Sequence, residues 1–130
     1  MGVILCRRNE TRFLEQGTVK EYNFAMVTEQ TLQDLITTIV QIASPKKIIL
    51  FGSYARNTMV SDSDLDLMVI VGDEELDLRL IKTNLHIAIS RKIDIPCDIL
   101  VERETIFHER GKLPTIEQII LLEGHTLYAA

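Results

Sequence analysis

The sequence predicts one α/β (α+β) domain, a small mixed β-sheet packed with helices. Three observations predict it. Apolar runs of strand length alternate with segments of helical period. Of 130 residues, 46% are apolar and mean hydropathy is +0.12, which suits a single packed core and not a disordered chain. No internal repeat or low-complexity tract interrupts the alternation.

Taken in order, residues 1–27 mix charged and apolar side chains without a clear period, and Gly17 suggests a turn. The segment reads as a flexible arm, a short hairpin or a partner-binding extension, of unknown role, with the domain proper at 28–130. From Thr28, a plausible N-cap, Leu32, Leu35, Ile36, Ile39, Val40 and Ala43 recur at helical spacing until Ser44-Pro45 stops the helix. Lys47 to Phe51 reads as a buried strand ending at Gly52, and Ser53 to about Asn57 as a short helix. Leu65 to Val71 is a second apolar strand closed by Gly72. A helix is expected from Glu74 to about Lys92, with Leu78, Ile81, Leu85 and Ala88 on one stripe. Pro96 introduces a third strand, Cys97 to Val101. One or two short helices follow around Gly111 and Pro114. Gly124 is expected as a C-cap before a last extended piece, His125 to Tyr128.

Composition excludes several classes of function. A net charge of −5 argues against a broad basic surface, so no direct nucleic-acid binding is expected. Cys6 and Cys97 make no metal-ligand spacing and read as reduced thiols of a cytoplasmic protein. No apolar run approaches the ~20 residues of a membrane span. The start, MGVILCRRNE, is not expected to act as a secretory signal, and Cys6 stands where a myristoylation site wants Ser or Thr.

The chemistry sits in FGSYARNTMVSDSDLDLMVIV, starting at Phe51. Side chains two apart on a strand share a face, so Asp64 and Asp66 project together. Two like charges this close repel unless compensated, and magnesium, with its preference for hard oxygen ligands and phosphates, does so. Adjacent strands are ~4.8 Å apart, so Asp98 completes a three-carboxylate cluster if its strand pairs with that of Asp66. Gly52-Ser53 supplies a turn at which a phosphate approaches the backbone closely. Arg56, one turn later, is in reach of a triphosphate or a partner. The set suits a nucleotidyltransferase using two magnesium ions. One would neutralise the pyrophosphate leaving group, and one among Asp64, Asp66 and Asp98 would activate an acceptor hydroxyl. Asp98 is the candidate to take the hydroxyl proton.

Gly52-Ser53, Asp64-Leu65-Asp66 and the later Asp98 resemble the DNA polymerase β-like nucleotidyltransferase superfamily. The smallest members, the minimal nucleotidyltransferases (MNT), match best. Leu50 to Arg56, Ser61 to Leu67, the Pro96–Val101 strand and the ending Leu122 to Tyr128 carry the likeness over roughly residues 28–130. The resemblance implies the polymerase β-like fold, ATP as substrate, and nucleotide contacts from Gly52, Ser53 and Arg56. It also implies an antitoxin role: transfer of AMP to a hydroxyl, expected to be a tyrosine, of a HEPN ribonuclease toxin with which the protein forms a hetero-oligomer. Two features depart from the pattern. Asn57 stands where the family usually has Gly, and residues 1–27 have no counterpart.

Other readings compete. The protein could silence a toxin by occlusion alone, or act on a small-molecule hydroxyl such as that of an antibiotic. Arg103 and His108 fit the spacing of a HEPN ribonuclease motif, but that motif belongs to a helical bundle, so His108 reads as an exposed helix residue. His86 reads as solvated and His125 as a surface residue, with contact to nucleotide or partner as its alternative; Cys97 reads as core packing and Tyr54 as partly buried against the first helix. Ile116, Ile119, Ile120 and Leu127 read as core, with a partner surface as the alternative.

Overall fold

This computed structural model describes residues 27–60 and 62–130, together with the backbone of three strands before them. Those strands are β1 (Val3–Ile4), β2 (Thr11–Glu15) and β3 (Thr18–Tyr22). There follow α1 (Glu29–Ala43), β4 (Lys47–Phe51), α2 (Gly52–Arg56), β5 (Leu65–Val71) and α3 (Leu78–Lys92). The chain closes with β6 (Cys97–Arg103), α4 (Glu104–Gly111), α5 (Ile116–Glu123) and β7 (His125–Ala129). The expected mixed sheet is present: five strands in the order β1-β7-β4-β5-β6, with β5 and β6 parallel and the other pairs antiparallel. Within residues 1–27, β1 joins the edge of this sheet, and β2 pairs with β3 as a separate hairpin. Gly17 and Cys6, read above as a turn and a reduced thiol, lie outside the described residues. No helix among the described residues is long and apolar enough to cross a membrane.

Strand alternation divides the core into two layers. Ile48 and Leu50 of β4, with Leu65, Leu67, Val69 and Val71 of β5, face α1 and α3, where Leu32, Leu35, Ile36, Ile39, Leu85 and Ile89 meet them. Ile49, Phe51, Met68 and Ile70 turn to the other face and pack on Phe107 of α4 and Ile120 of α5. Helices therefore cover both faces, which explains why β4 and β5 read as continuous apolar runs.

Local chemistry sets the element ends. Thr28 accepts the Thr31 amide at 3.1 Å, and Ser44 takes the left-handed conformation (φ 43) that closes α1. The helix expected from Glu74 begins four residues later. Asp77 caps it through the Leu80 amide at 3.0 Å, and residues 73–77 form a turn whose Asp73 instead accepts from the Thr105 amide and hydroxyl. Gly124 does follow α5, but with φ −72, so its conformation is not what demands glycine. A Cβ there would collide with the Ile120 carbonyl and the Ile49 side chain. The Ile116–Leu127 stripe splits. Ile120 and Leu127 are core, whereas Ile116 and Ile119 are exposed, as are Ile106, Leu113 and Leu122 nearby.

One polar cluster sits under α4 and α5. Arg110 Nε donates to both Glu117 oxygens, at 2.9 and 3.1 Å, and Glu117 is buried. Burial, the largest single influence, pushes the Glu117 carboxyl up, but the Arg110 hydrogen bonds and charge, with a backbone hydrogen bond and Thr115, together bring the net direction down. Glu102 of β6 is pushed up, first by burial and then by the charge of Glu117.

Candidate active site

The site forms where β4 ends, β5 begins and β6 begins. Gly52 leaves β4 with φ +74, a conformation that side chains resist. It also lies against the neighbouring strand, because Phe51 pairs with Asp66. A Cβ at position 52 would overlap the Asp66 carboxylate. Both demands fall on one residue, so the Gly52 backbone forms the seat of Asp66.

Ser53 to Arg56 complete α2, which runs from 52 to 56 where 53 to about 57 was expected. Asn57 ends it in the left-handed region (φ 59), and its amide donates to the Ser53 and Tyr54 carbonyls. Asn tolerates this region through its short polar side chain, so the departure from Gly leaves the turn intact. The Thr58 amide adds a bond to the Ser53 carbonyl at 2.9 Å. The chain then returns to β5 through a turn in which the Val60 amide donates to Ser63 Oγ at 2.8 Å.

Asp64 stands exposed just before β5, Asp66 is half-buried within it, and Asp98 is exposed near the start of β6. The parallel register sets Asp66 directly opposite Asp98. Strand alternation puts both on the sheet face shared with Met68, Ile70 and Leu100. The electrostatics reflect this crowding. Burial raises the Asp66 carboxyl above its usual range, the charges of Asp98 and Asp64 raise it further, and Arg56 partly offsets them. The three aspartates are neighbours, not a closed cage: among the described residues, no three His, Cys, Asp or Glu side chains stand close enough to enclose an ion. Arg56 pairs with Glu123 across 3.4 Å, both half-exposed.

Tyr54 and His125 differ from the sequence reading, whereas Cys97 packs against the core as read. Tyr54 is fully buried in the α1/α3 layer, and its hydroxyl is pushed up first by burial, then by Cys97 and Asp64. Cys97 is partly buried against the same layer. Its thiol donates to the Ile95 carbonyl at 3.5 Å and is pushed up to about 11 by burial and then by Asp64, which makes it a poor nucleophile. His125 is no surface residue: it is buried, with Nε2 2.9 Å from the Ala55 carbonyl of α2. His86 and His108 are exposed, as read. Arg103 donates to the Glu75 and Leu76 carbonyls, a tie from β6 to the 73–77 turn. The α5–β7 junction, with Glu123 and His125, is the part that sequence reasoning missed. Its signals were the family-like ending Leu122 to Tyr128 and a histidine beside Gly124.

The chain is similar to known proteins. Residues 32–124 match the family described as the nucleotidyltransferase domain. A relative from Methanocaldococcus jannaschii, named "Putative protein adenylyltransferase MJ0604", is 36% identical over 83 residues, covering 64% of this chain and 78% of that protein. Among solved structures, a toxin–antitoxin complex with AMP-PNP superposes with a TM-score of 0.54 at 22% identity, covering 75% of this chain and 73% of that one. A mutant MntA–HpeT toxin–antitoxin structure gives a TM-score of 0.54 at 21% identity, with the same coverage of each chain. At those identities the two structures speak to the fold. The family match and the archaeal relative speak to descent: the chain belongs to the nucleotidyltransferase domain family.

Proposed function

We propose that this protein is an MNT antitoxin that transfers AMP from ATP, with magnesium, to a hydroxyl of a HEPN ribonuclease toxin, a tyrosine being the expected acceptor. The observation that carries the reading is the register that sets Asp66 opposite Asp98, with Asp64 beside them and Gly52 seated against Asp66. The likeness to an archaeal protein named as an adenylyltransferase supports protein adenylylation; the two structural neighbours, both toxin–antitoxin complexes, support a toxin partner, and the one holding AMP-PNP supports an adenine nucleotide. Transfer to a toxin places the work in the cytoplasm.

Asp64, Asp66 and Asp98 are the residues that would hold magnesium, as open ligands whose shell the substrate phosphates and water would complete and not as a closed cage. Their donors are hard oxygens, and the like charges that raise the Asp66 carboxyl are what a divalent cation relieves. When bound, the metal supplies charge neutralisation at the phosphates and acidifies the acceptor hydroxyl. The protein's own residues do the rest. Gly52 and Ser53 offer a turn on which the triphosphate rests, and Arg56 lies on the same segment to offset phosphate charge. Asp98 accepts the proton of the acceptor hydroxyl as its oxygen attacks the α-phosphorus. One oxygen–phosphorus bond forms, the bond to the β-phosphate oxygen breaks, and pyrophosphate leaves. Positioning and charge stabilisation supply most of the rate.

Neutralisation by occlusion is the second reading, favoured by the exposed Ile106, Leu113, Ile116, Ile119 and Leu122 on α4, α5 and their connection. One experiment separates the two. The protein and its HEPN partner are incubated with α-labelled ATP and magnesium, as wild type and as Asp64→Asn/Asp66→Asn. Label on the partner with wild type only is the expected result. A stable, silenced complex without label overturns the catalytic reading and leaves occlusion.

A further inference from the structure

The junction between α5 and β7 grips α2 from behind. Residue 124 must be glycine for α5 to end directly on β4, where a Cβ would also come within 3.3 Å of the Leu50 carbonyl. The β4–β7 pairing shifts register between Ile48 and Ile49 and sets His125 opposite Leu50, two residues from Gly52. From there the buried ring of His125 reaches the Ala55 carbonyl at 2.9 Å. A carbonyl oxygen only accepts, so Nε2 carries the proton and donates it. The bond meets a need of the helix. In five residues, α2 cannot bond its last carbonyls internally. The Asn57 amide serves Ser53 and Tyr54, and His125 serves Ala55. Glu123, two residues earlier, holds Arg56 of the same helix at 3.4 Å.

We propose that His125 is a positioning residue for nucleotide binding: its N–H bond to Ala55 fixes where Ser53 and Arg56 stand relative to Asp66. This rests on the reading of the 52–56 segment as the one that holds phosphate. The Glu123–Arg56 pair is a minor part of the grip, since exposed ion pairs contribute little. His125 touches no reacting atom and acts through α2.

The test compares His125→Leu, which removes the donor and keeps bulk, with His125→Gln, which keeps a donor. Two readouts are taken on each. One is the set of backbone amide resonances of Ser53 to Arg56. The other is affinity for methylanthraniloyl-ATP with magnesium. In His125→Leu the α2 amides shift and affinity falls roughly tenfold, the consequence of a buried carbonyl losing its partner. His125→Gln recovers most of both. Unmoved α2 amides in His125→Leu, or a His125→Gln no better than His125→Leu, overturn the proposal. Should His125→Leu not fold, His125→Asn, whose amide is too short to reach Ala55, takes its place. If the wild type binds no nucleotide, the proposed function fails, while the amide comparison still decides whether His125 positions α2.

Discussion

Replacing Gly52 by Ala tests the link between backbone geometry and the central carboxylate. Two separate penalties follow from the structure. The first is conformational: at φ +74 an L-residue loses about 1–2 kcal/mol relative to glycine. The second is steric: the new methyl overlaps the Asp66 carboxylate and lies 3.0 Å from its Cγ, so that side chain must rotate out of its seat. Leaving its rotamer well contributes of order 1 kcal/mol more. Gly52→Ala should therefore lose about 2–3 kcal/mol, seen as a lower urea midpoint at unchanged slope. A double-mutant cycle divides the two parts. In an Asp66→Ala background the carboxylate is gone and only the Cβ contact, at 3.2 Å, remains. The cost of Gly52→Ala should then shrink toward its conformational share, a coupling of about 1 kcal/mol. Additive effects would refute the seat, because they would mean that the methyl never meets the carboxylate. Transfer activity should vanish in Gly52→Ala even where the fold survives, since Asp66 is displaced.

Two further perturbations probe the frame around the site. Glu102 has its folded pKa raised by burial and then by Glu117, so its contribution to stability is present below the unfolded value near 4.5 and lost as pH rises through the folded value. Glu102→Gln mimics the protonated carboxyl, so it should be more stable than wild type at neutral pH and lose that advantage near pH 4.5, read from denaturant midpoints across pH. Asn57 sits at φ 59, so Asn57→Gly should leave stability within about 0.5 kcal/mol, while Asn57→Ala should lose about 1 kcal/mol, read the same way.

What the sequence exposed and what it hid follow from the range of the interactions. β4 and β5 lie at their expected bounds because buried strands write themselves as unbroken apolar runs closed by glycine. The pairing of Asp66 with Asp98 was legible for the same reason. Each aspartate sits one residue from a buried aliphatic on a recognisable strand, and a parallel neighbour needs only the α3 crossover between them. The start of α3 was misplaced because Glu74 and Glu75 suit a helix by propensity. Asp77 and the Asp73–Thr105 bonds, which tie the turn to α4 32 residues away, decide otherwise. Glu117 is buried on α5 because Arg110 meets it across the α4–α5 connection, a pairing that helical spacing within either helix does not mark. His125 was hidden most deeply. Its partner is a backbone carbonyl 70 residues earlier, and no side chain at Ala55 marks that position.

The same contact shows why the carboxylate motif alone underdetermines the site. Asp66 and Asp98 are placed by strand register, which the local sequence specifies strongly, and Asp64 by its position just ahead of β5. The segment from Gly52 to Arg56 is one and a half turns of helix, too short to hold itself. Its position relative to those aspartates is set by β5 on one side, through the Gly52–Asp66 contact, and by the α5–β7 junction on the other. A chain with every aspartate in place but no side-chain donor at 125 to reach the Ala55 carbonyl would keep the acidic face and loosen the segment that carries Arg56. The end of the chain, which carries none of the candidate ligands, is therefore part of what aligns them.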